Sequence, residues 1–500
     1  MSQFTRFGIS GAAMIMSLFS LFSGNQIQVF ADEAMKVGVS EQDITPPVGF
    51  PMAGYFHERL ADGQIDPLKA KAIVFRGNDQ QAALVICDLT GISVDLSHAI
   101  RTQAARKTGI PYDNIIVSAT HSHTAPDYYK SLIRYLNGDK SNAIRTGYVE
   151  KLIEGASKAI EKASQSAGTA ILESGTVEQK TPVAFNRRFV MRDGSVQTWL
   201  NLKHPEVVRI AGPVDPEIGL LLIKDSQAKP IGVLSNFALH LDTVGGLKWS
   251  GDYPFFVESA VRQSLGADVV SLFGTGCCGD INHSNSDGLS ARNKTDVIGK
   301  AIGESIQNGL PKLSPLKKSR LSVRSNIVPL ALQECSEQEA TEAVRVMKAV
   351  EAGEKVDFLK HVQAHKMLMV DQLRNKEPLA GKSNPSPILA TREWSGVGQS
   401  LPVEVHTICL GEELAIVTLP GEVFVNLGLA IKQNSPFRTT IIIELANAVE
   451  TCYIPTQAAY AGGSYEVTNS TVKPGSGERL VEAVLHQLRE ARQEIDKPKK

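Results

Sequence analysis

The chain has 500 residues, 42% hydrophobic and 21% charged, with a formal net charge of −1. That is the makeup of a folded globular protein with room for one large domain or two ordinary ones. The balanced charge excludes the basic excess that nucleic acid or an anionic membrane surface selects, and there is no internal repeat or low-complexity tract.

The amino terminus differs from the rest. Arg6 precedes an uncharged apolar stretch from Phe7 to Phe22, and Val29-Phe30-Ala31 sets small residues at the −3 and −1 positions ahead of Asp32 and Glu33. This order predicts a secretory signal peptide over 1–31 and export, periplasmic or secreted. No later run is long and apolar enough to span a bilayer. In an exported protein some of the six cysteines could pair, but their spacing has no zinc-ribbon pattern and specifies no bridge. Cys87, Cys409 and Cys452 sit in apolar runs and read as buried thiols.

Residues 36–48 alternate and break at Pro46-Pro47, which predicts an early strand before a Gly- and Pro-rich loop over 49–67. Lys71–Arg76 and Gln81–Asp88 read as a hairpin joined through Gly77-Asn78-Asp79. Ser93 to Lys107 reads as a helix, with Ser93 as N-cap and Gly109 as its stop. Ile115–Thr120 has the β-branched and small residues of a buried strand, and it ends in His121-Ser122-His123. Thr146–Ser164 keeps the 3.6-residue apolar spacing of a helix. Strand-like runs at 168–178, 217–224, 230–239 and 268–273 then interleave with helices after Pro254 and over 294–308. Residues 336–375 read as a charged helical pair, an insertion or linking hairpin, and 376–400 as loop. Recurrent charges favour solvent-facing filler over a pocket cover for that pair, although Val344, Met347 and Val350 need a partner. Strands over 402–419 and 439–445, a helix after Pro420-Gly421-Glu422 and a last helix over 478–495 complete the chain. The expected fold is therefore α/β (mixed α+β), one large catalytic domain over 32–500 with mixed sheets flanked by helices.

Chemistry concentrates at strand ends. If the backbone stays extended through His121-Ser122-His123, both imidazoles project to one face. A second strand-like run ends in His240, with Asp242 beyond it, and a carboxylate, Glu422, stands at a strand-to-helix turn. Ser250–Pro254 forms an acidic turn, and the run Gly274–His283 carries three glycines that permit close backbone approach. Each has a bland reading as well: a lone strand-end histidine is more often structural, and Pro-Gly-Glu more often a helix start. Gly274–Gly279 lacks the acidic ribose partner of a dinucleotide site. His, His and Glu at three strand ends suit zinc when they converge.

The chain resembles the neutral ceramidase family, specifically its amino-terminal catalytic domain. The matching segments are Val37–Pro46, Ile73–Leu89, Ala119–His123, Asn186-Arg187, Asn236–His240, Gly279–Ile281, Pro420–Glu422 and Tyr453–Glu466. The resemblance implies one Zn2+ held by His121, His240, Glu422 and Tyr453. His123 and Arg187 fall at pocket positions, and Tyr465, which keeps the family's tyrosine spacing with Tyr453 and Tyr460, is a candidate for orientation or proton transfer. At the family's serine position this chain has Asn282, which cannot form an acyl-enzyme, so water activated by zinc is the expected nucleophile. Asn282 or backbone N–H groups of the glycine turn are then candidates to steady an oxyanion, and His283 to orient or donate a proton. Thr124-Ala125-Pro126-Asp127 replaces the family's Ser-Gly-Pro continuation, and no carboxy-terminal immunoglobulin-like domain is evident.

The resulting expectation is an exported zinc-dependent amidohydrolase acting on an N-acyl amide, ceramide-like lipid included. A deacylase or esterase on an acylated sugar or other small substrate is the alternative, and a non-catalytic binding protein on the same fold a second. The expected partner is a small-molecule or lipid substrate, with peripheral membrane contact allowed and nucleic acid excluded.

Overall fold

The computed structural model describes residues 35–77, 79–139, 141–284, 286, 294–317, 320–380 and 391–497. The expected signal peptide, and part of the expected loop over 376–400, lie outside them. The strands named here are β1 (Lys36–Asp43), β2 (Lys69–Gly77), β3 (Gln80–Cys87), β4 (Ile115–Ala119), β5 (Gly168–Glu178), β6 (Glu217–Asp225), β7 (Pro230–Phe237) and β8 (Val270–Thr275). They form a large mixed sheet in the order β8-β7-β6-β5-β1-β2-β3-β4, with Ser314–Pro315 attached to β5. A second sheet runs β9 (Leu321–Ala331), β10 (Ser400–Leu410), β11 (Leu414–Thr418) and β12 (Thr439–Ile443) in that order.

Side-chain alternation explains how the two sheets meet. In β2, Ile73 and Phe75 join Leu84, Ile116, Leu221 and Leu272 in a cluster that also holds Ile408, Ile416, Ile441 and Ile443 of the second sheet. The intervening Ala72 and Val74 face the other way, into a core with α1 (Val94–Thr108) and α3 (Ala143–Gln165). Further along the same outer face, Leu220, Leu222 and Val233 pack on α4 (Tyr253–Leu265) and α5 (Thr295–Gly309). Val403, Val405 and Val417 on the far side of the second sheet pack against α8 (Val425–Asn434) and α9 (Ser476–Asp496). Period-two burial on both faces thus yields four layers, helix–sheet–sheet–helix, in a single large α/β domain.

Several local expectations hold with their caps. The Ser93 side chain accepts from Leu96 N, and Gly109 adopts the left-handed conformation that ends α1. The expected helical pair over 336–375 is α6 (Glu337–Glu351) and α7 (Phe358–Arg374), opened by a capping box at Ser336 and Glu339. Among the elements that escape the sequence reading are α2 (Tyr129–Leu136), the strand β9, and a small sheet of Arg188–Met191, Val196–Thr198 and Val207–Ile210. All six cysteines are free thiols. No helix among the described residues is long and apolar enough to cross a membrane.

Candidate metal centre and its cleft

Three parallel pairings put functional loops at one edge: β4 beside β3, β7 beside β8, and β11 beside β12. Ligand sites in α/β sheets collect outside the carboxyl ends of such strands. His121 and His123 follow β4, His240 follows β7, and Glu422 follows β11.

The histidine pair does not sit on an extended backbone, as the i, i+2 argument expected. β4 ends at Ala119, and His121 itself has a φ of 76°, a conformation that non-glycine residues rarely adopt. Backbone hydrogen bonds impose it: His121 N and Ser122 N both donate to Leu89 O. Ser122 and Thr124 hydroxyls donate to Ser250 O, and His123 N donates to Leu241 O. The acidic turn Ser250–Pro254 is therefore a brace for this loop, with Asp252 receiving Thr243 N and Val244 N. The turn, rather than strand geometry, brings the imidazoles together.

His121 Nε2 lies 2.9 Å from His240 Nε2 and 3.3 Å from His123 Nε2. The three imidazoles form a cluster whose facing nitrogens lie within 4.8 Å of one another, compatible with a metal site. Glu422 Oε2 lies 3.4 Å from His121 Nε2 and 3.6 Å from His240 Nε2. Ligand atoms around a tetrahedral zinc stand about 3.3 Å apart, so this spacing fits. The tautomers fit as well. His121 Nδ1 faces Thr90 O at 2.6 Å and His240 Nδ1 faces Cys278 O at 3.2 Å. Each Nδ1–H donates to a carbonyl, which turns an Nε2 lone pair toward the shared centre. Glu422 Oε2 is buried with no hydrogen-bond partner, the kind of orphan a cation would satisfy.

Tyr453 is set beside Glu422 by a short parallel pairing of Glu422-Val423 with Tyr453-Ile454. Its hydroxyl accepts from Arg187 Nη2 at 3.1 Å. Arg187 is fixed on its other sides, donating from Nε to Glu466 Oε1 at 2.8 Å and from Nη2 to Gly279 O at 2.9 Å. Two glycines permit these approaches. A Cβ on Gly279 would stand 2.6 Å from Glu422 O, and Gly421 has a φ of 60° with Thr451 against it.

Electrostatics follow burial. Desolvation holds His240 well below its ordinary pKa, reinforced by His121 and Arg187, and pushes His123 down to about 4. Burial disfavours the Glu422 carboxylate, but His121, Arg187 and the Tyr453 hydroxyl outweigh it and keep its pKa below the usual range. Tyr465 meets Tyr453 at 5.4 Å between ring centroids and lines the same cleft.

Asn282 and His283 stand apart from this group. Asn282 lies in a two-residue strand paired with Phe185-Asn186, and its Oδ1 accepts from Ser284 N at 3.0 Å. His283 has a buried Nδ1 with no partner, and its electrostatic neighbours are Asp242 and Arg187. Neither is among the residues lining the cleft of about 350 Å³ beside the centre.

That cleft contains residues the sequence reading passed over. Phe56, from the loop after β1, meets His361, His365 and Tyr465 ring-to-ring at 5.5, 5.4 and 6.5 Å. His361 and His365 stand one turn apart on α7, and Met347 of α6 also lines the wall. The helical pair is thus part of the cleft, which corrects its reading as solvent-facing filler. The i, i+4 histidines in His361-Val362-Gln363-Ala364-His365 were the available signal.

Residues 35–246 match the family described as neutral/alkaline non-lysosomal ceramidase, N-terminal. Over 94% of this chain and 76% of the other, the structure superposes on neutral ceramidase from Pseudomonas aeruginosa with a TM-score of 0.67 at 16% identity. The fold is that of the neutral ceramidases. A ceramidase structure complexed with C2 gives a TM-score of 0.66 at 16% identity, covering 93% of this chain and 77% of that one. Neutral ceramidase 3 of Arabidopsis thaliana is 26% identical over 238 residues, which span 45% of this chain but only 30% of that relative. The chain therefore has a ceramidase-type fold carrying a candidate metal-binding triad of histidines.

Proposed function

We propose that the protein is an exported zinc-dependent amidohydrolase that cleaves an N-acyl amide, the class to which ceramide belongs. The observation that carries this reading is the pair of Nε2 lone pairs on His121 and His240 aimed at the orphaned Glu422 Oε2. Neutral nitrogens 2.9 Å apart repel unless a cation or proton lies between them, and burial disfavours the proton. His121, His240, Glu422 and Tyr453 would hold the ion. Zinc supplies Lewis acidity toward a carbonyl and a lowered pKa for water.

The chain's own residues supply the rest. Arg187, clamped by Glu466 and Gly279 O, presents a fixed guanidinium beside Tyr453, where charge develops on a substrate oxygen. His123, neutral at ordinary pH, accepts or relays a proton at Nε2, with Asp242 Oδ1 3.8 Å from its Nδ1. The Tyr465 hydroxyl sits in the same cleft and orients the substrate beside Tyr453.

The test is metal analysis joined to turnover. Purified protein should bind close to one zinc per chain, and His121→Ala and Glu422→Ala should each lose the metal and at least about 10³-fold in kcat/KM on a short-chain N-acyl amide. A folded protein with no zinc affinity would end this reading. Acylated sugars form a second substrate reading, favoured by the polar side chains along the cleft.

A further inference from the structure

Beyond the metal centre the cleft carries both apolar and ionisable side chains. Its lining includes the rings of Tyr465 and Phe56, on which Phe358 and Trp199, 44% and 49% exposed, pack. Trp199 meets Tyr465 at 4.7 Å and Phe358 meets it at 5.8 Å, so the rings form a continuous shelf leading from Tyr453 outward. The same cleft is lined by Asp127, Lys130 and Arg145, beside His361 and His365. Lys130 and Arg145 both act electrostatically on Asp127, and Lys130 acts on His365, so these groups are neighbours. Among the described residues, neither Lys130 nor Arg145 has an ion pair within 4.0 Å, and His365 Nδ1 is buried without a partner. Glu58 adds a second carboxylate and His57 a third imidazole, so two cations are matched by two carboxylates.

A hydrocarbon chain laid along this wall would desolvate these groups and pair none of them. A free anion would meet Lys130 and Arg145 but also two carboxylates. Hydroxyl groups, which both donate and accept, satisfy every member of such a set, and the C–H face of a ring stacks on an aromatic shelf.

We propose that the amine half of the substrate is compact and hydroxyl-rich, an N-acylated amino sugar or amino polyol, seated against the Tyr465 and Trp199 rings and the Asp127, Lys130, Arg145, His365 wall. This rests on the amidohydrolase reading and deepens it. Water adds to the amide carbonyl, the C–N bond breaks, and the proton goes to the departing amine, giving a fatty acid and a free amino sugar; no further reactant is needed.

The experiment separates the two claims. Binding of N-octanoylglucosamine, N-octanoylethanolamine and a short-chain ceramide is measured by ligand-observed NMR on metal-stripped wild-type protein, and kcat/KM for the same three on the zinc-loaded protein. N-octanoylglucosamine should bind at least tenfold more tightly than N-octanoylethanolamine, which carries the same acyl chain. His365→Leu and Lys130→Met should each erase most of that preference, weakening N-octanoylglucosamine more than N-octanoylethanolamine. Equal affinities, a preference for ceramide, or a preference untouched by both variants overturns the inference. Binding preference without any turnover overturns the amidohydrolase reading and leaves the hydroxyl-rich subsite standing.

Discussion

Glu466 is the residue on which the arginine at the centre depends. It is 0% exposed, and its carboxylate takes Arg187 Nε on one oxygen and Arg188 Nη1, at 3.2 Å, on the other. Thr198 Oγ1 donates to the second oxygen at 2.9 Å. Removing the carboxylate strands two buried guanidinium groups, a change that costs about 3–5 kcal/mol. Glu466→Ala should therefore lower the unfolding free energy by that amount in urea titration. Glu466→Gln keeps the shape and part of the hydrogen bonding, so it should fold better than Glu466→Ala yet turn over slowly, because Arg187 loses its fixed geometry. A Glu466→Ala protein as stable as the parent would show that the clamp does not hold Arg187. Glu466 lies at the end of the segment that resembles the ceramidase family, yet nothing in its neighbours in sequence predicts burial. The arginines it serves are nearly 280 residues away.

At the scale of elements, a charge cluster ties β2 to α4. Glu258 on α4 pairs with Lys69 at 2.7 Å, with Lys71, and with Arg262 one turn on. Burial works against the Glu258 carboxylate, but Lys71 and Lys69 outweigh it and pull the pKa from 4.5 to about 2. Because the folded value lies below the unfolded one, the stabilisation is fully present above about pH 4.5 and is lost as pH falls toward 2. That window corresponds to about 3 kcal/mol. Glu258→Gln should flatten the stability–pH curve between pH 4.5 and 2, and an unchanged curve would assign that titration elsewhere. The caps of α1 admit a simpler check: Ser93→Ala should cost about 1 kcal/mol by thermal denaturation.

Elements were legible where one period dominates a long run. β1, the β2–β3 hairpin, α1, α3, α4 and the α6–α7 pair all fall close to their expected bounds. β9 was missed because Leu321–Ala331 mixes buried and exposed residues without clean alternation, being covered by α9 along part of its length. The histidine loop was misread for a different reason. Its left-handed turn at His121 is imposed by Leu89 O and Ser250 O, acceptors far away in the chain.

For the whole molecule, the centre joins the two sheets. His121 and His240 come from the loops of the large sheet, while Glu422 and Tyr453 lie in a two-stranded sheet formed by the segments that follow β11 and β12 of the second. An ion held by all four would clamp one sheet to the other and stabilise the folded state by mass action. Zinc at about 1,000-fold above its Kd should add about 4 kcal/mol. Scanning calorimetry should show a rise in Tm with zinc, reversed by a chelator and absent in His121→Ala. A Tm indifferent to zinc in a protein that binds it would mean the metal sits off the inter-sheet boundary.

The sequence by itself determined most of the long strands and helices and the α/β class, because burial on a strand or helix face repeats with a period that a window of residues reveals. It also determined which side chains were available as ligands, since imidazole, carboxylate and phenol are chemical identities and need no fold. Only the tertiary structure decided where those groups point and what surrounds them. The tautomers of His121 and His240, the clamp on Arg187 and the polar wall from α2, α3 and α7 each depend on atoms that are neighbours in space but remote along the chain. Direction and neighbourhood are set by long-range packing, which no local pattern encodes.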